Sequence, residues 1–153
     1  MSHGKQPGFL NLEPGLLLCN MPYSPSLEDY LKTIYLLNKN EGSVRLVDIA
    51  DRMSVTKPSA NRAVAQLAKK DLVEHIRFGP ILLTDKGMET SEKLISRFDT
   101  VKRFLMLVLN LSEDMASSEA CVIEHTICDV TLEKMASLNR RGVDMGIILT
   151  QNI

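Results

Sequence analysis

Residues 46–87, LVDIADRMSVTKPSANRAVAQLAKKDLVEHIRFGPILLTDKG, decide the fold. A short helix reads over 46–53, with Leu46, Ile49, Ala50 and Met53 inward at helical spacing. Ser54-Val55-Thr56 makes a turn. Pro58 suits the first turn of the next helix, where its missing N–H would be unpaired anyway, and that helix runs to about residue 70. Ala60, Ala63, Val64, Leu67 and Ala68 form its inner face, while Ser59, Arg62, Gln66 and Lys69 fall opposite at steps of three and four. Residues 72–76 and 81–83 read as two strands joined by a hairpin tip, Arg77-Phe78-Gly79-Pro80.

Upstream, a helix starts at Ser26, which with Asp29 has the form of a capping box. Leu27, Tyr30, Leu31, Ile34 and Leu37 make its apolar face, and Gly42 can take the left-handed cap that ends it. Downstream, Thr84 caps a long helix, irregular near Gly87, that reaches about Asn110. Ser112, with Glu113 and Asp114 behind it, starts a fifth helix through Ile127. Asp129 caps a sixth that ends before Gly142. Helix, short helix, turn, helix, hairpin is the order of a winged helix-turn-helix, whose third helix enters a major groove. The expected fold is therefore mainly α. A winged helix-turn-helix domain over 26–90 is followed by a helical domain over 91–153.

Residues 1–25 hold four of the six prolines and three of the eight glycines, which makes them an arm rather than a domain. Its Phe9, Leu10, Leu16, Leu17 and Leu18 either dock on a partner or belong to a disordered terminus. With 44% hydrophobic and 24% charged residues the chain has the balance of a soluble domain. No Trp and 5% aromatics leave an aliphatic core. No apolar run reaches the roughly 18 residues of a membrane helix. The stretch 15–19 is too short for a signal-peptide core, so the protein is expected in the cytoplasm without membrane contact. Three cysteines, an odd number, in a reducing compartment argue against a disulfide framework.

A net charge of −1 means that affinity for nucleic acid has to come from local clustering. Residues 54–70 contain no acid, yet carry Lys57, Arg62, Lys69 and Lys70. Four bases in such a stretch also fit a solvated helix face. The acid-free run, however, lies between a helix-turn-helix pattern and a hairpin, where phosphate neutralisation is needed. Arg62 and Gln66 carry the donors and amide edges that read guanine and adenine. Lys57, Ser59 and Lys69 suit phosphates, and Arg77 at the wing reaches the backbone or minor groove.

Cys121, Glu124 and His125 stand at i, i+3 and i+4 on the expected fifth helix, placing thiolate, carboxylate and imidazole on one face. The bare pattern fits a shared metal ion. It equally fits a small core cysteine, a surface acid and a satisfied helix histidine. Cys128, two turns on, either faces the same site, forms a thiol pair with Cys121, or packs at a helix end. Cys19 in the arm has no assigned role. No general base or oxyanion donors accompany the cluster, so no enzyme is expected.

From Ser26 to about Leu138 the sequence resembles the diphtheria toxin repressor and manganese transport regulator family. The carriers are Ser26-Leu27-Glu28-Asp29-Tyr30-Leu31-Lys32-Thr33-Ile34-Tyr35, Val47-Asp48-Ile49-Ala50, Leu82-Leu83-Thr84-Asp85-Lys86-Gly87 and Glu119-Ala120-Cys121-Val122-Ile123-Glu124-His125. The resemblance implies a metal-dependent transcriptional regulator, usually a repressor, that binds operator DNA as a homodimer. It also implies that the helical domain over 91–153 binds metal and dimerises, through Phe104, Leu105, Leu107, Val108, Leu109 and the last two helices, with the tail 143–153 adding to the contact. Metal ligands carried over are Asp29, Cys121, Glu124 and His125. Asp29 is the choice of manganese-responsive members and Cys121 that of iron-responsive ones. The expected ion is therefore divalent, Fe(II) or Mn(II). Where the family has further ligands this chain has Phe98, Lys102, Ser117 and Lys32, and an ammonium cannot ligate, so one ion per subunit is expected. Lys32 is placed to pair with Asp29 when no metal is bound. The alternative is a winged-helix regulator without metal sensing, responsive to thiol oxidation or to nothing.

Overall fold

A computed structural model describes residues 25–76 and 79–144. Helix α1 (Pro25–Glu41) buries the stripe Leu27, Tyr30, Leu31 and Ile34. It ends at Gly42, whose φ of 70° lets its N–H return to the Asn38 carbonyl at 2.9 Å. Ser26 lies inside the helix rather than at its cap. Asp29 is drawn instead to Lys32 and His125, so the expected capping box does not form.

Helix α2 (Leu46–Arg52) and helix α3 (Lys57–Lys69) flank a turn in which Ser54 takes a φ of 53°. Thr56 caps α3 by accepting from the Ser59 N–H at 3.4 Å. Strands β1 (Val73–His75) and β2 (Ile81–Leu83) pair antiparallel, with Val73 opposite Leu83 and His75 opposite Ile81. Val44, which the sequence did not mark as extended, bridges to Ile81 and accepts its N–H at 2.7 Å. This ties the α1–α2 loop to the hairpin. The arm over 1–24, the tip residues Arg77 and Phe78, and the tail over 145–153 lie outside the described residues.

Helix α4 (Asp85–Leu107) is continuous through Gly87, where irregularity was expected. The glycine is there for approach. A Cβ on it would lie 1.9 Å from the Leu72 carbonyl oxygen, so only glycine lets α4 leave the hairpin this closely. At 23 residues α4 spans about 34 Å. Leu94 packs into the cluster formed by α1–β2, whereas Val101 and Leu105 pack into a second cluster. Residues 90 and 91 therefore sit within one unbroken helix.

Helix α5 (Glu113–Ile123), capped by Ser112, stops four residues earlier than expected, and α6 (Asp129–Asp144) runs past Gly142. A helical glycine with open space around it costs too little to end a helix that is packed along its side. Ala116, Ala120 and Ile127 complete the second cluster with Val101 and Leu105. Leu105, expected at a dimer contact, is 4% exposed and belongs to this core, while Val108 and Leu109 are exposed. Cys128 is exposed just before α6, with Sγ 3.2 Å from the Thr131 hydroxyl, so it is not a packing residue. No helix among the described residues is long and apolar enough to cross a membrane.

Candidate metal centre and nucleic-acid face

Glu124 and His125 follow α5 instead of ending it. The spacing still works because the backbone keeps winding: the Glu124 N–H reaches the Ala120 carbonyl at 3.0 Å and the Ile127 N–H reaches that of Ile123 at 2.9 Å. Arg97 of α4 holds this turn from below. Its guanidinium donates to the Ile127 carbonyl at 2.5 Å and the Glu124 carbonyl at 3.4 Å, and it pairs with Asp129. Nothing in the sequence singled Arg97 out, because its partners lie about thirty residues away.

The turn faces α1. Ligand atoms of Asp29, Cys121 and His125 all lie within 4.8 Å of one another. Asp29 Oδ1 is 3.2 Å from His125 Nε2, and Glu124 Oε1 is 3.5 Å from the same nitrogen. His125 Nδ1 is 2.8 Å from Glu28 Oε2. Glu28 thus orients the imidazole so that Nε2 points at Asp29, the arrangement of a carboxylate behind a ligating histidine. Glu28 is not among the residues whose spacing or resemblance pointed to metal ligation. Its signal was an acid adjoining the apolar stripe Leu27–Leu31–Ile34, and it is 1% exposed.

Burial pushes the Glu28 carboxyl above its ordinary range, against the pull of His125. Burial also raises the Cys121 thiol, helped by the Asp29 carboxylate, so a nearby cation is what would favour its thiolate. Lys32 donates to Asp29 Oδ1 at 2.8 Å and to Glu124 Oε1. Burial alone would lower the pKa of Lys32, but the hydrogen bonds to Asp29 and Glu124 outweigh it and hold the ammonium above its usual value.

Does this donor set fit a metal ion? Glu124 is fully buried and its Oε2 has no hydrogen-bond partner, and neither has the buried Oε1 of Glu28. Orphaned carboxylate oxygens in a dry setting are costly unless a cation meets them. Carboxylate, imidazole and thiol converging from two parts of the chain fit a divalent transition metal, with Asp29 the hard donor and Cys121 the soft one. Phe98 is half-buried in the second cluster and Lys102 pairs with Glu113 at 2.8 Å, so neither is placed as a ligand.

On α3, Lys57, Arg62, Gln66 and Lys69 are exposed. Ser59 is half-buried and its hydroxyl is shared between Thr56 at 3.0 Å and Arg62 at 3.4 Å, which makes it part of the helix start before it is a phosphate contact. Asn61, which was not singled out, is exposed beside Arg62 and carries an amide edge of the kind that reads adenine. A groove between α1 and α3 is lined by Ser26, Tyr30, Ser59, Arg62 and Gln66 among others.

Two family models match. The iron dependent repressor N-terminal DNA binding domain covers residues 23–77, and the iron dependent repressor metal binding and dimerisation domain covers 84–141. An uncharacterised HTH-type transcriptional regulator of Methanocaldococcus jannaschii is 38% identical over 117 residues, covering 73% of this chain and 90% of that protein. The HTH-type transcriptional regulator MntR of Geobacillus kaustophilus is 30% identical over 115 residues, covering 75% and 81%. Among solved structures, the manganese regulator SloR superposes with a TM-score of 0.67 at 35% identity, over 77% of this chain and 55% of that one. The IdeR of T. acidophilum gives 0.66 at 26% identity, over 76% and 54%. The chain spans about half the length of these two solved structures.

Proposed function

The chain belongs to the iron-dependent repressor family of metal-dependent, DNA-binding transcriptional regulators, and from that premise we propose that it is a cytoplasmic homodimeric repressor of metal-homeostasis genes whose operator affinity is raised by one Fe(II) or Mn(II) per subunit. The proposed ligands are Asp29, Cys121, Glu124 and His125. The division is a reading head over 26–90 and a metal-binding, pairing half over 91–153. The observation that carries this is the convergence of Asp29 on α1 with Cys121 and His125 at the end of α5. Those residues come from the two separately matched halves of the chain.

When bound, a divalent cation supplies the positive charge that lets carboxylate, thiolate and imidazole meet at one point. The residues do the rest. Glu28 holds the His125 ring so that Nε2 faces inward. Arg97 anchors the turn that carries Glu124 and His125 to α4. Asp29 sits on the same helix whose Leu31 and Ile34 pack against α3, so its position reports on that of the recognition face. Fixing α1 against the α5 turn sets the separation of two recognition helices in a dimer, which must match about one DNA turn, ~34 Å. Ligand binding that favours this arrangement strengthens DNA binding, and DNA strengthens ligand binding equally. Lys57, Arg62, Gln66, Lys69 and Arg77 are the proposed DNA contacts, together with Ser59 and Asn61.

The test selects DNA from a random library with the Mn(II)-loaded protein and measures affinity by anisotropy with metal or with chelator. Metal is expected to tighten binding at least tenfold, and His125→Ala or Cys121→Ser to remove that gain while leaving weak, salt-sensitive binding. Equal affinity in chelator and in metal would overturn the proposal.

A further inference from the structure

We infer that Lys32 is a resident cation of the metal centre: its ammonium joins the two halves of the subunit while no metal is bound, and a divalent ion enters only by displacing it from Asp29 and Glu124. This rests on the metal-dependent reading above and adds how that site is regulated. The oxygens that Lys32 holds are the ones that matter. Asp29 Oδ1 and Glu124 Oε1 are the two carboxylate oxygens nearest His125 Nε2, at 3.2 and 3.5 Å. Lys32 is bonded to both.

A surface lysine would pair loosely with either acid. This one is 12% exposed, and its partner Glu124 is fully enclosed. A buried carboxylate needs a counter-charge, and the Lys32 ammonium is hydrogen-bonded to the Glu124 side chain, with His125 Nε2 3.5 Å from the same oxygen. The pair also runs from α1 to the turn after α5, the same gap that the proposed metal ligands bridge.

Ammonium and metal compete for these oxygens. Lys32 Nζ lies 2.8 Å from Asp29 Oδ1. A transition metal bonded to that oxygen would lie about 2.0–2.2 Å from it. Two positive charges on one oxygen are then at most about 5 Å apart, where screening inside a protein is weak. An ammonium has no lone pair to offer in return. That repulsion favours departure of Lys32 as the ion enters, and the exchange of cations raises the metal concentration at which the site fills. The same charge disfavours a second ion beside the first.

The test compares wild type, Lys32→Met, Lys32→Gln and Lys32→Arg, with His125→Ala as the control for the site itself. Mn(II) affinity is read by calorimetry, ions per subunit by native mass spectrometry, and Tm in EDTA and in Mn(II) by circular dichroism. The neutral variants are expected to bind Mn(II) at least tenfold tighter than wild type, to melt lower in EDTA, and to gain more from Mn(II). Lys32→Arg should stay within about threefold of wild type, its charge being kept. Folded Met and Gln variants with unchanged or weaker Mn(II) affinity would overturn the inference. A neutral variant that folds only with Mn(II) would support it. Failure of the metal reading looks different, because His125→Ala would then bind Mn(II) as wild type does. If wild type takes up no Mn(II), gain of an ion by either neutral variant supports the inference and continued absence sinks it.

Discussion

Inside α1–β2 the side chains of Leu31, Ile34, Ile49, Leu67, Leu72 and Ile81 are completely enclosed. Between α4, α5 and α6 the enclosed residues are smaller, Val101, Ala116 and Ala120, and larger neighbours such as Phe98, Phe104 and Met106 are only half covered. Outside that second cluster stand Val108, Leu109, Met115 and Val122, from 44% to 70% exposed. The reading head has a core that closes on itself. The other half has a thinner one and leaves apolar surface for something else to cover, as expected of a pairing surface. The difference predicts that the first half is stabilised mainly from within and that the second gains from association.

The largest effect is expected where the two regions join. Gly87→Ala puts a methyl group against the Leu72 backbone oxygen, which no side-chain rotation can relieve, and should cost more than about 3 kcal/mol in urea unfolding. A wild-type midpoint would mean that α4 is not packed as close to the hairpin as described, and the comparison would lose its hinge. Next comes the contrast of cores. Leu67→Ala should destabilise by about 3 kcal/mol and Val101→Ala by about 1.5 kcal/mol, measured in the same denaturation series. Equal losses would show that the second cluster is as self-sufficient as the first. The smallest effect on the folded subunit is expected at the open face. Met115→Glu with Val122→Glu should raise the dimer dissociation constant at least tenfold by sedimentation, yet shift subunit stability by under about 0.5 kcal/mol. An unchanged association constant would place the pairing surface elsewhere.

Much of this was legible from residues alone. The 3.6-residue spacing of Ala60, Ala63, Val64 and Leu67 marked the buried side of α3, and the spacing of Cys121, Glu124 and His125 put them on one side of the chain, where Cys121 and His125 come together with Asp29. The helix ends were less legible. Ser26, Gly142 and the end of α5 all went against local cap signals, since tertiary packing outweighs a cap contribution of about 1 kcal/mol. The bond from Lys32 to Glu124 spans 92 residues and that from Glu28 to His125 spans 97, and no local pattern marks such pairs.

The sequence by itself determined which segments become helix or strand and which of their sides face inward, because the periodicity of apolar residues is a property of neighbours along the chain. Only the tertiary structure decided which charges share a buried space: Glu28 behind His125, Lys32 between Asp29 and Glu124, and Arg97 beneath the turn. Electrostatic pairing depends on distance through space, and that distance exists only after the two cores have set α1 against the end of α5.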